Sequence, residues 1–123
     1  RAIHPAATVS KRATIGDGTV IMGNAIINCD AVIGKHVIIN TAASIDHDCS
    51  IADYVHISPN ATLSGNVTVG EGSWIGAGAT IIPGIKIGQW CTIGAGAVII
   101  RDVEDGMTVV GVPAKVIKVN NSL

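Results

Sequence analysis

Aliphatic side chains occupy every sixth position of the chain from Ile3 to Ile99 without a gap. A period of six does not match the 3.6-residue turn of an α-helix, but six is even, so residues of an extended chain at this spacing point to one side. A short fixed period predicts a solenoid of hexapeptide repeats. The row consists of Ile3, Val9, Ile15, Ile21, Ile27, Ile33, Ile39, Ile45, Ile51, Ile57, Leu63, Val69, Ile75, Ile81, Ile87, Ile93 and Ile99.

A second row of mostly small residues lies two positions before each large one, as at Ala25, Ala43, Ala61, Ala79 and Ala97. Alternating large and small inward residues suit a narrow prism whose chain turns after each short strand. Three strands would complete a coil of 18 residues, so the repeats predict an all-β, parallel β-helix of five to six coils, shaped as a triangular prism. Glycine often follows the large residue, where we expect it to supply the conformational freedom of a tight corner; examples are Gly16, Gly34, Gly70, Gly76, Gly88 and Gly94.

Composition agrees with a thin interior and narrows the function. Phenylalanine is absent, and Tyr54, Trp74 and Trp90 all fall outside the inward rows. The length of 123 residues suits one domain. A net charge of −1 without a basic block argues against a nucleic-acid partner. No apolar run approaches the roughly 18 residues of a membrane span. Because the first residue is Arg1, we expect the chain to be part of a longer protein.

The hexad register ends near residue 100, and the sequence after it is of a different kind. We therefore assign residues 1–101 to the β-helix and residues 102–123 to a C-terminal turn, capping strand and tail. A solenoid end needs such a cap, because it would otherwise expose unpaired strand edges. The stretch from Gly111 to Lys115, Gly-Val-Pro-Ala-Lys, is more specific than a cap alone requires.

The candidate chemistry lies in the centre of the chain, where Asp46 and Asp48 flank His47. These residues follow inward Ile45, so the imidazole should lie at a corner, outside the prism. A carboxylate beside an imidazole fixes its tautomer and raises its basicity, as a general base requires. We therefore expect His47 to be the base, oriented by Asp48 and also by Asp46.

A second outward histidine, His56, follows nine residues after His47. Nine residues is half a coil, so the two imidazoles should lie on different sides of one prism, more than about 10 Å apart at ~3.3 Å per strand residue. They can serve one substrate only if neighbouring subunits pack side by side. A cyclic trimer would supply three equivalent grooves of this kind.

The hexads and these central motifs together resemble one known group of enzymes. It is the sialic-acid O-acetyltransferase and UDP-amino-sugar N-acetyltransferase family within the left-handed β-helix acyltransferases. The hexads alone indicate only the superfamily. The more specific motifs are Asn40-Thr, Asp46-His47-Asp48, His56-Ile-Ser-Pro, Leu63-Ser-Gly-Asn-Val and Gly111-Val-Pro-Ala-Lys, in a match from about Ile3 to Lys118.

The resemblance implies a left-handed coil, which the residues alone do not give. It also implies a cytoplasmic homotrimer that binds acetyl-CoA between subunits, needs no metal and makes precursors of bacterial surface glycans. Members of the family usually carry an N-terminal Rossmann-like domain for the sugar nucleotide, which this chain does not contain. The expected reaction is acetylation of an amino-sugar that is UDP-linked. The alternative is O-acetylation of sialic acid, serine or another small hydroxyl acceptor.

The resemblance and the coil repeat assign further residues to the site. Gly65, one coil after His47, would present its backbone N–H to the tetrahedral oxyanion. His56 would contact the acetyl-bearing arm of CoA, and Asn40 would belong to the same composite site as a substrate contact. The remaining expected contacts follow the coenzyme toward its adenine end, with backbone groups for the pantetheine amides and Lys115 for the phosphates: Ala77, Ala95, Val112, Pro113 and Lys115.

Two other functions use the same prism. A γ-type carbonic anhydrase holds zinc with three histidines, but His36, His47 and His56 are spaced by eleven and nine residues, which does not supply that ligand set. A non-catalytic scaffold or ice-binding prism would carry a regular flat face of threonines, and the threonines here are scattered.

Overall fold

The computed structural model describes residues 1–120, and within that range it contains nineteen strands and no helix. Most strands have only two residues because the chain turns after each hexad. They are β1 (Ala2–Ile3), β2 (Thr8–Val9), β3 (Thr14–Ile15), β4 (Val20–Ile21), β5 (Ile26–Ile27), β6 (Val32–Ile33), β7 (Ile38–Ile39), β8 (Ser44–Ile45), β9 (Ser50–Ile51), β10 (His56–Ile57), β11 (Thr62–Leu63), β12 (Thr68–Val69), β13 (Trp74–Ile75), β14 (Thr80–Ile81), β15 (Lys86–Ile87), β16 (Thr92–Ile93), β17 (Val98–Ile99), β18 (Met107–Val110) and β19 (Lys115–Val119).

The strands form three parallel sheets, which are the three faces of a triangular prism. Sheet A contains β1, β4, β7, β10, β13, β16 and β18, with β19 antiparallel at its edge. Sheet B contains β2, β5, β8, β11, β14 and β17, and sheet C contains β3, β6, β9, β12 and β15. Among β1–β17 each paired residue lies 18 positions from its partner, as Ala2 does from Val20, whereas β16 pairs with β18 at an offset of 16. The predicted parallel β-helix with 18 residues per coil is confirmed.

The core is a stack of aliphatic side chains along the prism axis. From Ile21 to Ile99, every member of the large row is at most 2% exposed. The small row is buried with it, and its polar members bond to corner backbone: the Thr19 hydroxyl donates to the Gly34 carbonyl at 2.7 Å. At the N-terminal end Ile3 is 43% exposed, because no coil covers it.

The corners differ from the sequence expectation in where they need conformational freedom. From Ile15 to Ile93, positive φ occurs at the third residue after each large one, as at Asn24, Asp48 and Tyr54, and not at the glycine that directly follows it. That glycine is required by crowding instead. A Cβ added to Gly16 would lie 2.3 Å from the Gly34 carbonyl oxygen of the next coil. The expectation that these glycines serve the turn itself was wrong; they let the coils stack closely.

The C-terminal segment closes the last coil with a β-hairpin. Strand β18 continues sheet A beside β16, and β19 folds back along it. The loop between them covers the edge of β17, because the Val98 N–H donates to the Gly111 carbonyl and the Ala114 N–H donates to the Val98 carbonyl. The boundary at residue 101 between helix and cap stays a prediction. The last part of the predicted tail, residues 121–123, lies outside the described residues.

Among residues 1–120, no helix has the length and apolar character needed to cross a bilayer.

Candidate active site

His47 lies at the corner between sheets B and C, after β8 and before β9. Its Nδ1 is 3.0 Å from Asp48 Oδ2, and both side chains are 50% exposed. Because a carboxylate oxygen accepts, this contact favours the neutral tautomer with the proton on Nδ1 and the lone pair on Nε2. Asp48 is itself fixed by its backbone, because its N–H donates to the Cys29 carbonyl of the preceding coil at 3.0 Å.

Asp46 acts on the backbone of His47 and not on its ring. Its Oδ1 accepts the His47 N–H at 2.7 Å and a hydrogen bond from Asn28 Nδ2 at 3.0 Å. These two donors, the backbone N–H first, hold the pKa of Asp46 below its ordinary value. The carboxylate is therefore ionised at neutral pH and fixes the conformation of the corner that carries His47.

Gly65 lies directly against the His47 ring, one coil further along the same corner. A Cβ added to Gly65 would be 2.6 Å from both Nε2 and Cε1 of His47. Its φ is not positive, and the left-handed residue of this corner is Asn66. Its N–H has no acceptor among the described residues. The corner thus places the His47 ring beside Gly65, and the role of the Gly65 N–H toward an oxyanion stays a prediction.

His56 lies elsewhere, on the outer side of β10 in sheet A, at the centre of a separate cluster. Its Nε2 is 3.3 Å from Asn40 Nδ2, and its ring packs on Trp74 with 4.1 Å between ring centroids. Burial lowers the pKa of His56, so the ring is neutral at pH 7. Within one chain the structure does not bring His47 and His56 together, in agreement with their half-coil spacing.

Ala77 and Ala95 occupy the same place in successive coils, in the middle of the corner between sheets A and B. The Ala77 carbonyl accepts the Gly96 N–H at 2.8 Å, while the N–H groups of Ala77 and Ala95 have no acceptor within residues 1–120. Both residues are exposed. We use the name A/B corner for the row of corners, one in each coil, that join sheet A to sheet B. In an earlier coil, the first residue of this corner is Asn40.

The A/B corner leads to the C-terminal hairpin. Val98, which follows the last of these corners, is hydrogen-bonded to the backbone of Gly111 and Ala114. Between those two residues lie Val112, which is 73% exposed, and Pro113, which is also exposed. Lys115 begins β19 on the far side of this loop and lines a cavity of about 510 Å³ under the hairpin. Of the expected cofactor residues, Ala77 and Ala95 thus lie at the A/B corner and Val112, Pro113 and Lys115 lie at the hairpin, whereas His56 lies on sheet A and Gly65 at the corner between sheets B and C.

Two residues of these clusters were not found from the sequence, Asn28 and Trp74. Asn28 precedes its partner Asp46 by one coil, and Trp74 follows His56 by one coil. The 18-residue offset was the available signal, since residues that far apart are neighbours in this fold. Within the described residues, no group of three or more histidine, cysteine or acidic side chains could hold a metal ion.

Known proteins share this fold and much of this sequence. The bacterial transferase hexapeptide (six repeats) family matches at residues 30–65 and 66–101. No curated protein gives a sequence match. Among solved structures, the acetyltransferase domain of PglB from Neisseria gonorrhoeae is 52% identical, with a TM-score of 0.93 over 94% of this chain and 56% of that one. One of its structures contains acetyl coenzyme A.

Two further proteins are similar to this chain over nearly its whole length. A histidine variant of perosamine N-acetyltransferase from Caulobacter crescentus, in complex with CoA and GDP-perosamine, is 43% identical, with a TM-score of 0.94 over 94% of this chain and 55% of that one. WeeI from Acinetobacter baumannii is 31% identical, with a TM-score of 0.89 over 92% of this chain and 56% of that one. The chain thus spans little more than half the length of these relatives. Its repeats, core and family match together show that it belongs to the bacterial transferase hexapeptide family.

Proposed function

We propose that this chain is the catalytic β-helix of an acetyl-CoA-dependent N-acetyltransferase whose acceptor is the amine of a nucleotide-linked amino-sugar. The observation that carries the proposal is the corner where His47, paired with Asp48, packs directly on Gly65, whose backbone N–H has no acceptor among the described residues. The ligands of the relatives point the same way, because one holds acetyl-CoA and another holds CoA with GDP-perosamine. The setting would be the synthesis of surface-glycan precursors in the bacterial cytoplasm.

The chemistry begins with His47 as general base. The acceptor nitrogen attacks the carbonyl carbon of the thioester while Nε2 of His47 takes a proton from that nitrogen. Asp48 holds Nδ1–H, keeps Nε2 directed outward and stabilises the imidazolium that forms. A positioned base of this kind contributes about 10²–10⁴-fold to the rate.

Gly65 would meet the negative charge that develops on the carbonyl oxygen. Its N–H is a preformed donor, and one such donor is typically worth about 10²–10³-fold in rate. When the tetrahedral intermediate collapses, the carbon–sulfur bond breaks and the imidazolium returns its proton to the CoA thiolate. The products are the amide and free CoA, and His47 is again neutral.

The site would be completed by a second copy of the chain, in a homotrimer. Sheet B supports this arrangement, because its outward side chains carry no charge in the described structure: Thr8, Ile26, Ser44, Thr62, Thr80 and Val98. If this face of each copy meets the trimer axis, the corner of His47 in one copy lies beside the A/B corner and His56 of the next. Acetyl-CoA would lie in that groove, with Ala77 and Ala95 donating to the pantetheine arm and Val112, Pro113 and Lys115 near the nucleotide end.

An acetyl-transfer assay on the full chain tests the proposal. The acceptors would be UDP- and GDP-linked amino-sugars, with serine and sialic acid as hydroxyl acceptors, and the readout would be free CoA thiol. We expect turnover with an amino-sugar and a His47→Ala kcat about 10²–10⁴-fold lower, with acetyl-CoA affinity unchanged. His36→Ala, which changes a histidine at the corner between sheets C and A, is the matched control and should keep its activity. Turnover of a hydroxyl acceptor alone, or a fully active His47→Ala variant, would contradict it.

A further inference from the structure

The hydrogen bonds around His56 determine which of its two ring nitrogens carries the proton. Asn40 Oδ1 accepts the backbone N–H of Thr41 at 2.8 Å. A backbone N–H can only donate, so this contact fixes the orientation of the Asn40 amide and turns Nδ2 toward His56. Nδ2 can also only donate. His56 Nε2, 3.3 Å away, must therefore be the acceptor and hold a lone pair.

The surroundings of His56 keep the ring neutral, so its one proton is on Nδ1. The outward residues of the two flanking strands are Ile38 and Trp74, and neither carries a charge. Trp74 covers the ring, with the two ring planes at 42°. A neutral imidazole with its lone pair on Nε2 has its single N–H at Nδ1.

His56 and His47 have the same tautomer but expose opposite ends of the ring. In His47 the Nδ1–H is occupied by Asp48, so the nitrogen left for a ligand is the basic Nε2. In His56 the Nε2 lone pair is occupied by Asn40, so the group left for a ligand is the Nδ1–H donor. The neighbouring side chain alone decides whether each imidazole can remove a proton or donate a hydrogen bond.

We propose that Asn40 is a positioning residue, which holds His56 in the Nδ1–H tautomer and makes it a hydrogen-bond donor instead of a base. The use of this donor rests on the proposed function: its acceptor would be a carbonyl oxygen on the acyl-bearing arm of CoA. Asn40 then acts through His56 and does not itself contact the acceptor sugar.

Nitrogen-15 NMR of the full chain labelled at histidine tests the tautomer without any ligand, with the His56 signals identified by their loss in His56→Gln. We expect the wild-type ring to carry its proton on Nδ1. In Asn40→Asp a carboxylate, which can only accept, replaces the amide, so Nε2 should become protonated. Asn60→Asp adds the same charge at an exposed position of the same corner and should leave the His56 tautomer unchanged.

A wild-type His56 with its proton on Nε2 would overturn the inference, and so would an unchanged tautomer in folded Asn40→Asp. If that variant does not fold, Asn40→Ala replaces it and should give a mixture of tautomers. In the transfer assay, we expect Asn40→Asp to lower kcat/KM for acetyl-CoA at least tenfold and Asn60→Asp to change it less than twofold. A wild-type protein with the expected tautomer but no acetyl transfer would refute the proposed function and uphold the assignment of the proton.

Discussion

At the scale of single residues, glycine is required at position 65 by the neighbouring His47 ring and not by the conformation of the turn. The turn conformation is carried by Asn66, while the space over Gly65 is filled by the His47 ring. His47 in turn has little support apart from Asp48 and this contact, because its side chain is half exposed. The position of the proposed base therefore depends on the absence of a side chain at Gly65.

We predict that Gly65→Ala lowers kcat strongly while the melting temperature stays close to that of the wild type. The added Cβ would displace the His47 ring, which can move outward into solvent, so the cost falls on catalysis, up to the 10²–10⁴-fold of a lost base. The check is a double-mutant cycle in which Gly65→Ala is added to His47→Ala. If the reductions in kcat caused by the two substitutions multiply in the double variant, Gly65 has a role independent of the His47 imidazole and this explanation is wrong.

We also predict that His56 makes the folded state less stable in acid. Its pKa is lowered by burial from 6.5, so the unfolded chain binds a proton more readily than the folded one. The folding free energy that depends on a neutral His56 is fully present above pH 6.5. It is lost as the pH falls from 6.5 through the pKa of His56 in the folded state. In urea titrations, His56→Gln should lose less stability than the wild type between pH 7 and 5. Equal losses in the two proteins would contradict the assignment.

The residue scale is also where sequence reasoning was incomplete. It identified the pair of His47 with Asp48, because the two are adjacent in the chain. It credited Asp46 with the same role, although that carboxylate bonds to the backbone N–H. It missed Asn28 and Trp74, because each acts on a residue one coil away and has no special character in its own hexad.

At the scale of elements, short strands and tight corners have different sequence requirements. The inward rows predicted all seventeen two-residue strands, because burial on one side of a strand leaves a strict pattern. The left-handed corner positions left a weaker pattern, since Asn, Asp, Gly, His, Tyr and Trp all occur there. The hairpin after residue 106 breaks the period, so only its capping role could be expected from sequence.

We predict that Lys115 contributes electrostatically to acetyl-CoA binding. It begins β19 beside the loop that ends the A/B corner, where the phosphates of the coenzyme are proposed to lie. Lys115→Ala should raise the KM for acetyl-CoA several-fold in low salt, and the difference should shrink in high salt as the charge is screened. Lys118→Ala, on the same strand, is the control and should have a smaller effect. An unchanged KM at both salt concentrations would leave Lys115 as a surface charge.

At the scale of the whole molecule, the two histidine clusters lie on different sides of one prism, so the proposed site would need two copies of the chain. We predict that inactive His47→Ala and His56→Ala chains recover activity when mixed and allowed to exchange subunits. With equal amounts of each, about a quarter of the grooves in random trimers would hold both wild-type histidines. Mass spectrometry of size-tagged chains would verify exchange. Verified mixed trimers without recovered activity would rule out a shared site.

The stacking of coils also determines the distance between the His47 corner and the C-terminal hairpin. Successive coils lie about 4.8 Å apart, and the middle of the A/B corner offers one unpaired backbone N–H per coil at Ala77 and Ala95. The number of coils between His47 and the hairpin therefore fixes how far a bound molecule can reach from its reactive end to its far end. Adding one complete coil there would leave every inward row intact and lengthen this span by about 4.8 Å. The fold thus tolerates the insertion of a whole coil, whereas a ligand that is bound at both ends could no longer span the longer distance.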